Sequence, residues 1–291
     1  MSIPVDYTSA LLKSLSQDRL NNLIAQADAR RILQEVKESP ENYPAFDPLL
    51  TEKVTHIAYA LLSCGCSLIE GADDSADEAE NLGILERAGK LLSDAYRYND
   101  SEADEKNYNL LIAGMALYAA KQYSRAFIVL KDINLDFSVG QLIIQFVKKD
   151  FNSLLKSTSK VFFEDFCELS NIQVLDEWVI SHEIARIFMI ITDYVQTGNK
   201  DDFTIIDDIF NKLLLVAVDS NLISFWLIIR LLRIILSTYF KASLWSVLPP
   251  LLSSQYTTKS YIQLLSGFVP PVTELWPSQV AAIPLAVGEN D

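Results

Sequence analysis

Between Pro48 and Pro249 the chain contains no proline, and its 291 residues include only 9 glycines. Sandwiches, barrels and nucleotide-binding α/β domains need a tight turn every few residues, built mainly from Gly, Pro, Asn and Asp. A long stretch without proline, in a chain poor in glycine, suits helices. Half of the residues are apolar, and a chain of this length buries a sizeable core. The predicted fold class is therefore all-α, with stacked antiparallel helical hairpins.

The spacing of apolar residues agrees. Over 18–38, Leu20, Leu23, Ile24, Ala27, Ile32, Leu33 and Val36 recur at helical intervals, with Asp18 as a cap. Residues 39–48 carry three prolines (Pro40, Pro44 and Pro48) and predict a loop. From residue 49, Val54, Ile57, Ala58, Leu61, Leu62 and Ile69 line a second helical face. The acidic run 70–80 predicts a solvated loop or the first turn of a helix, where carboxylates are favourable. Segment 107–133 divides into two amphipathic helices with a turn near Lys121 and Gln122. Its small residues Gly114 and Ala126, with Tyr123 and Leu130, resemble a tetratricopeptide-like helical hairpin, in which small side chains let two helices approach closely. No second clean copy follows one period away, so the array is a degenerate one. Further helices are predicted over 139–147, 159–169, 174–196, 202–218 and 221–240. Gly198 stops the third of the five. Pro249-Pro250 and Pro270-Pro271 bracket one last short helix.

Several chemistries fail for want of residues. His56 and His182 are the only histidines, and the position four after His182 is Arg186, so a zinc-protease helix lacks its second ligand. Cys64 and Cys66 are separated by a single residue, too few for a zinc pair, and with Cys167 they read as buried thiols. The odd cysteine count, and the lack of a basic-then-apolar leader, predict a reducing, cytoplasmic setting. No nucleophile elbow and no Gly-rich phosphate loop occurs. The acid pairs Asp73-Asp74, Asp201-Asp202 and Asp207-Asp208 sit in polar surroundings that would not raise a carboxyl into the catalytic range. No catalytic or metal residue is assigned. A net charge of −14 opposes contact with phosphate backbones, and the basic pairs Arg30-Arg31 and Lys148-Lys149 lack interleaved aromatics. The apolar stretch 222–240 is long enough for a membrane span, but Arg230 and Arg233 near its centre argue for a buried soluble helix instead, with its arginines exposed or paired with acids.

Near the C-terminus, Leu275-Trp276-Pro277-Ser278-Gln279, followed by Ala282, Ile283 and Gly288-Glu289-Asn290, resembles the Q-motif of superfamily-two helicases. The closest likeness is to the superkiller-like branch of the DEAD/DEAH-box class. The resemblance implies that Gln279 reads adenine through its amide and that Trp276 walls the pocket. It also implies ATP as the parent chain's cofactor, with none bound by this segment alone, and a helicase core of the same chain as partner. DNA or RNA would be reached through that motor.

The resulting expectation is a helical accessory domain over 1–248, a proline-flanked connector over 249–271 and the start of an ATPase core over 272–291. The alternative is a free-standing helical-repeat adaptor that holds a protein partner through a helical face or the acidic patch at 73–80. Neither reading involves a membrane.

Overall fold

The computed structural model describes residues 5–15, 18–72, 78–98, 102–131, 133, 135, 137–163, 172–201, 203–250, 255–269, 271–276 and 278–282. Among them the regular structure is helical, with no strand; the one β-type pairing is an isolated bridge between Ser243 and Glu274. The all-α expectation holds. The chain divides into two compact units, Met1–Leu135 and Asp136–Asp291.

The first unit contains α1 (Val5–Ser14), α2 (Asp18–Glu35), α3 (Leu50–Gly71), α4 (Glu78–Tyr96), α5 (Ala103–Ala119) and α6 (Tyr123–Leu130), with a 3-10 turn at Pro40–Asn42 inside the predicted loop. Neighbours pack in sequence order: α3 on α4, α4 on α5, α5 on α6. The α5–α6 pair is the predicted hairpin. A Cβ placed on Gly114 would collide with the Leu130 side chain, so this glycine sets the interhelical distance. Gly89 does the same between α4 and α5: a Cβ there would lie 2.9 Å from the Ala113 carbonyl oxygen, which cannot move aside. Cys64 and Cys66 are fully buried on α3, and Cys167 lies outside the described residues.

The second unit contains α7 (Ser138–Val147), α8 (Phe151–Phe163), α9 (Ile172–Thr197), α10 (Phe203–Asp219), α11 (Ile223–Ala242), the short α12 (Leu244–Val247) and α13 (Gln255–Ser266). Helix α8 begins well before the aromatic run at 159 that suggested it, because Asp150 accepts the Ser153 amide and starts the helix there. On α9, Ile184, Ile187, Phe188 and Ile191 are fully buried, as their spacing requires. The helix stops at Gly198, which has a φ of 75° and donates its N–H to the Tyr194 carbonyl.

A chain poor in glycine still has to end its helices. Four ends use the same left-handed cap with a side chain present: Lys37, Lys121, Lys149 and Asn221 have φ between 54° and 62°. After Lys121, the Gln122 amide bonds to the Leu117 carbonyl while the Lys121 amide bonds to Tyr118. The same paired bonds recur at Lys37, Lys149 and Asn221. This is the Schellman arrangement, in which glycine is the usual occupant. Glycine scarcity therefore does not mean helices without turns.

Two helices, Leu50–Gly71 and Ile223–Ala242, are long and apolar enough to cross a membrane, and half or more of each apolar window is buried by its own surroundings. Arg233 pairs with Asp207 at 3.1 Å and also donates to Asn211. Arg230 is not one of the exposed arginines: it is only 2% exposed, with its guanidinium 4.6 Å from the Trp226 ring centroid. Cation–π contact of this kind compensates part of the loss of water.

Candidate docking cleft in the C-terminal unit

The second unit contains a cleft of about 520 Å³, within the size range of ligand pockets. Three parts of the second unit form it: the α7–α8 turn with Lys148, Asp150 and Asn152, the end of α9 at Val195 and Gln196, and the segment from Ser266 to Thr273. Its outer rim is apolar. Phe268 is half exposed, and Val269 is 98% exposed.

A buried ion pair holds the far wall in place. Lys149 sits at the left-handed cap of α7, which turns its side chain inward. Its ammonium lies 2.7 Å from Glu274 Oε1 and over the rings of Phe146 and Tyr239, at 4.7 and 4.8 Å. Both partners are nearly removed from water, and burial pushes the Lys149 ammonium below its usual range while Glu274 pulls it back. Burial also raises the Tyr239 phenol, keeping it neutral. Backbone bonds fix the same segment: the Leu275 amide donates to Ala242, and the Leu244 amide to Thr273. Leu275 joins Leu244, Leu248 and Ile262 in a small core, against which Val280 packs. With Lys149 paired to its own glutamate, the cleft offers shape, apolar surface, amide groups and the charged side chains of Lys148 and Asp150.

The residues singled out by the helicase resemblance have local duties here. Trp276 is 49% exposed, and its amide donates to Gln279 Oε1 at 2.8 Å. The Trp276 carbonyl then accepts from the amides of Gln279 and Val280. This is half of a capping box, with glutamine at the third position returning to the residue that starts the helical turn at 278–282. Pro277, Ile283 and Gly288-Glu289-Asn290 lie outside the described residues.

Other sequence candidates also resolve into structure. His182 packs between Phe162 and Trp178, with ring centroids at 4.2 and 4.9 Å. Glu183 pairs with Arg186. No group of three metal-ligating side chains occurs among the described residues. Arg30 donates to Thr51, and Arg31 bridges Asp28, Glu35 and Asp94, so that basic pair serves packing of the first unit. Within that cluster, burial and the neighbouring Asp28 raise the Asp94 carboxyl to about 6, against the pull of Arg31. Of the acidic patch, Glu78 starts α4 and pairs with Lys121 at 3.1 Å, while 73–77 lie outside the described residues.

Sequence reasoning weighed Lys148-Lys149 only as a nucleic-acid contact and missed the Lys149–Glu274 pair. Two lysines at a glycine-free junction between apolar helices were the available signal, since one of them had to fill a left-handed cap.

The structure thus defines an all-α protein of paired helices, with a cleft in its second unit. No protein-family model matches it. The chain is 30% identical over 274 residues to the Hachiman protein HamB of Bacillus cereus, a match covering 94% of this chain and 24% of the relative. The chain therefore spans about a quarter of the length of the curated relative it matches. This finding corrects the helicase reading. A likeness that runs through both helical units outweighs one confined to a short C-terminal motif, and neither the relative's name nor a family model supplies the helicase, ATP-binding or hydrolase assignment. The motif's glutamine also has its amide oxygen engaged in capping its own turn.

Proposed function

We propose that this chain is a non-catalytic helical interaction region of a Hachiman-type protein, holding a protein partner within a defence system inside the cell. The observation that carries this reading is the extent of the similarity: 274 residues exceed the length of either compact unit, so both units contribute to the shared sequence. The paired helices supply a scaffold, and the cleft bordered by Phe268 and Val269 supplies an apolar anchor point of the kind partners use. The reading requires no nucleotide or metal.

The test is co-expression of the chain with the products of its flanking genes, followed by size-exclusion chromatography with light scattering. A stable stoichiometric complex is expected, weakened at least tenfold by Phe268→Asp combined with Val269→Asp, with the same pair of changes lowering survival of infected cells. A complex untouched by these changes would move the contact off the cleft. Absence of any complex would end the adaptor reading.

A further inference from the structure

Helix α10 has one face too many that is apolar. Ile206, Ile209, Phe210, Leu213 and Ala217 are buried, which is the face it packs against α9 and α11. Its opposite side carries Thr204, Asp208, Asn211, Leu215 and Val218, all exposed. Those positions are separated by four, three, four and three residues, the spacing of a coiled-coil seam. The seam spans about 21 Å at 1.5 Å per residue. Its first half is polar. Its second half is not: Leu215 is 64% and Val218 54% exposed. The turn after α10 folds tightly, with the Leu222 amide on the Ala217 carbonyl, and sets Ile223, 70% exposed, at the same end.

The charge around this stripe is acidic on balance. Asp201, Asp208 and Asp219 are exposed on or beside it, against Lys200 and Lys212, while Asp207 pairs with Arg233, which also donates to Asn211. The whole chain is acidic as well, at −14. A second copy of the chain would bring like charge to the seam, which disfavours self-association there. A basic helix with an apolar stripe meets both halves: its aliphatic side chains cover Leu215, Val218 and Ile223, and its lysines or arginines face the aspartates.

We propose that the outward seam of α10, with Ile223 at its end, is a docking surface for a basic amphipathic helix of a partner protein. The surface is separate from the cleft, and the proposal does not rest on the Hachiman reading. The seam spacing selects a helical partner, the aspartates select its charge, and the apolar half fixes its direction.

The test uses the full chain and a fluorescein-labelled 18-residue peptide of leucine and lysine in helical register, followed by anisotropy in 0.15 M salt. Saturable binding is expected. Leu215→Gln with Val218→Gln should weaken it at least tenfold. Asp208→Lys with Asp219→Lys should weaken it similarly and flatten its salt dependence. Circular dichroism should show unchanged helix content, since all four positions are exposed. Glu102→Lys with Asp104→Lys, in the other unit, should leave binding within twofold. The proposal is overturned if that control pair weakens binding as much as the α10 pairs, because general negative charge would then suffice. It also falls if a leucine–glutamate peptide binds equally well. Two further results would replace the occupant: dimerisation lost in the Leu215/Val218 variant, or binding to phosphatidylglycerol vesicles lost in the same variant.

Discussion

At the residue scale, the buried Lys149–Glu274 pair makes the sharpest prediction. Removing one partner leaves an uncompensated charge in a site almost without water, a loss of about 3–5 kcal/mol, whereas replacing both by apolar groups is close to neutral. Lys149→Met is therefore expected to lower the urea midpoint strongly, and Lys149→Met with Glu274→Leu to recover most of the loss. Recovery that failed would mean the pair contributes more than mutual neutralisation. Asp94 gives a pH prediction. Its folded-state carboxyl is raised to about 6, above an ordinary value near 3.8. Between those values the folded form holds more protons than the unfolded one, so stability from this group is complete at low pH and is lost as pH rises through 6. Relative to the parent, Asp94→Asn should flatten the fall in urea midpoint between pH 4 and 7. Neither residue was visible as a site in the sequence. An aspartate and a lysine acquire such properties from the helices packed around them, and those neighbours are distant along the chain.

At the element scale, the caps and the close approaches carry the predictions. Lys121 holds a left-handed φ of 62° that glycine adopts without a steric penalty. Lys121→Gly would also release the ion pair to Glu78, a half-exposed contact worth little. The net expectation is a small gain in stability, a few tenths of a kcal/mol, read from denaturant midpoints. Gly114→Val should act in the opposite sense, costing about 1–3 kcal/mol as α5 is forced off α6. The α5–α6 hairpin was legible before the structure, down to its turn at Lys121 and Gln122, because small residues at fixed spacing have one physical use there. The start of α8 was not, because an aspartate cap outweighed the aromatic pattern further along. Helix α10 was legible as a helix, but its second apolar face was hidden among residues that look like ordinary core.

At the scale of the whole molecule, charge dominates. With −14 spread over 291 residues, the isolated chain is expected to give no gel shift of duplex DNA or RNA at about 10 µM protein in 0.15 M salt, where phosphate contacts supply most non-specific affinity. A clear shift would reopen the nucleic-acid reading. The 135/136 division between compact units was not marked by composition, since prolines punctuate the chain at 40–48 and 249–271 instead. Sequence alone determined the helical class, most helix positions and the acidity, because these follow from local propensity, periodicity and counts of residues. Tertiary structure decided where the units part, which lysine is buried, which face of α10 stays open and what Gln279 does with its amide. Those depend on which surfaces meet, and a periodic pattern specifies that a face is apolar without specifying what covers it.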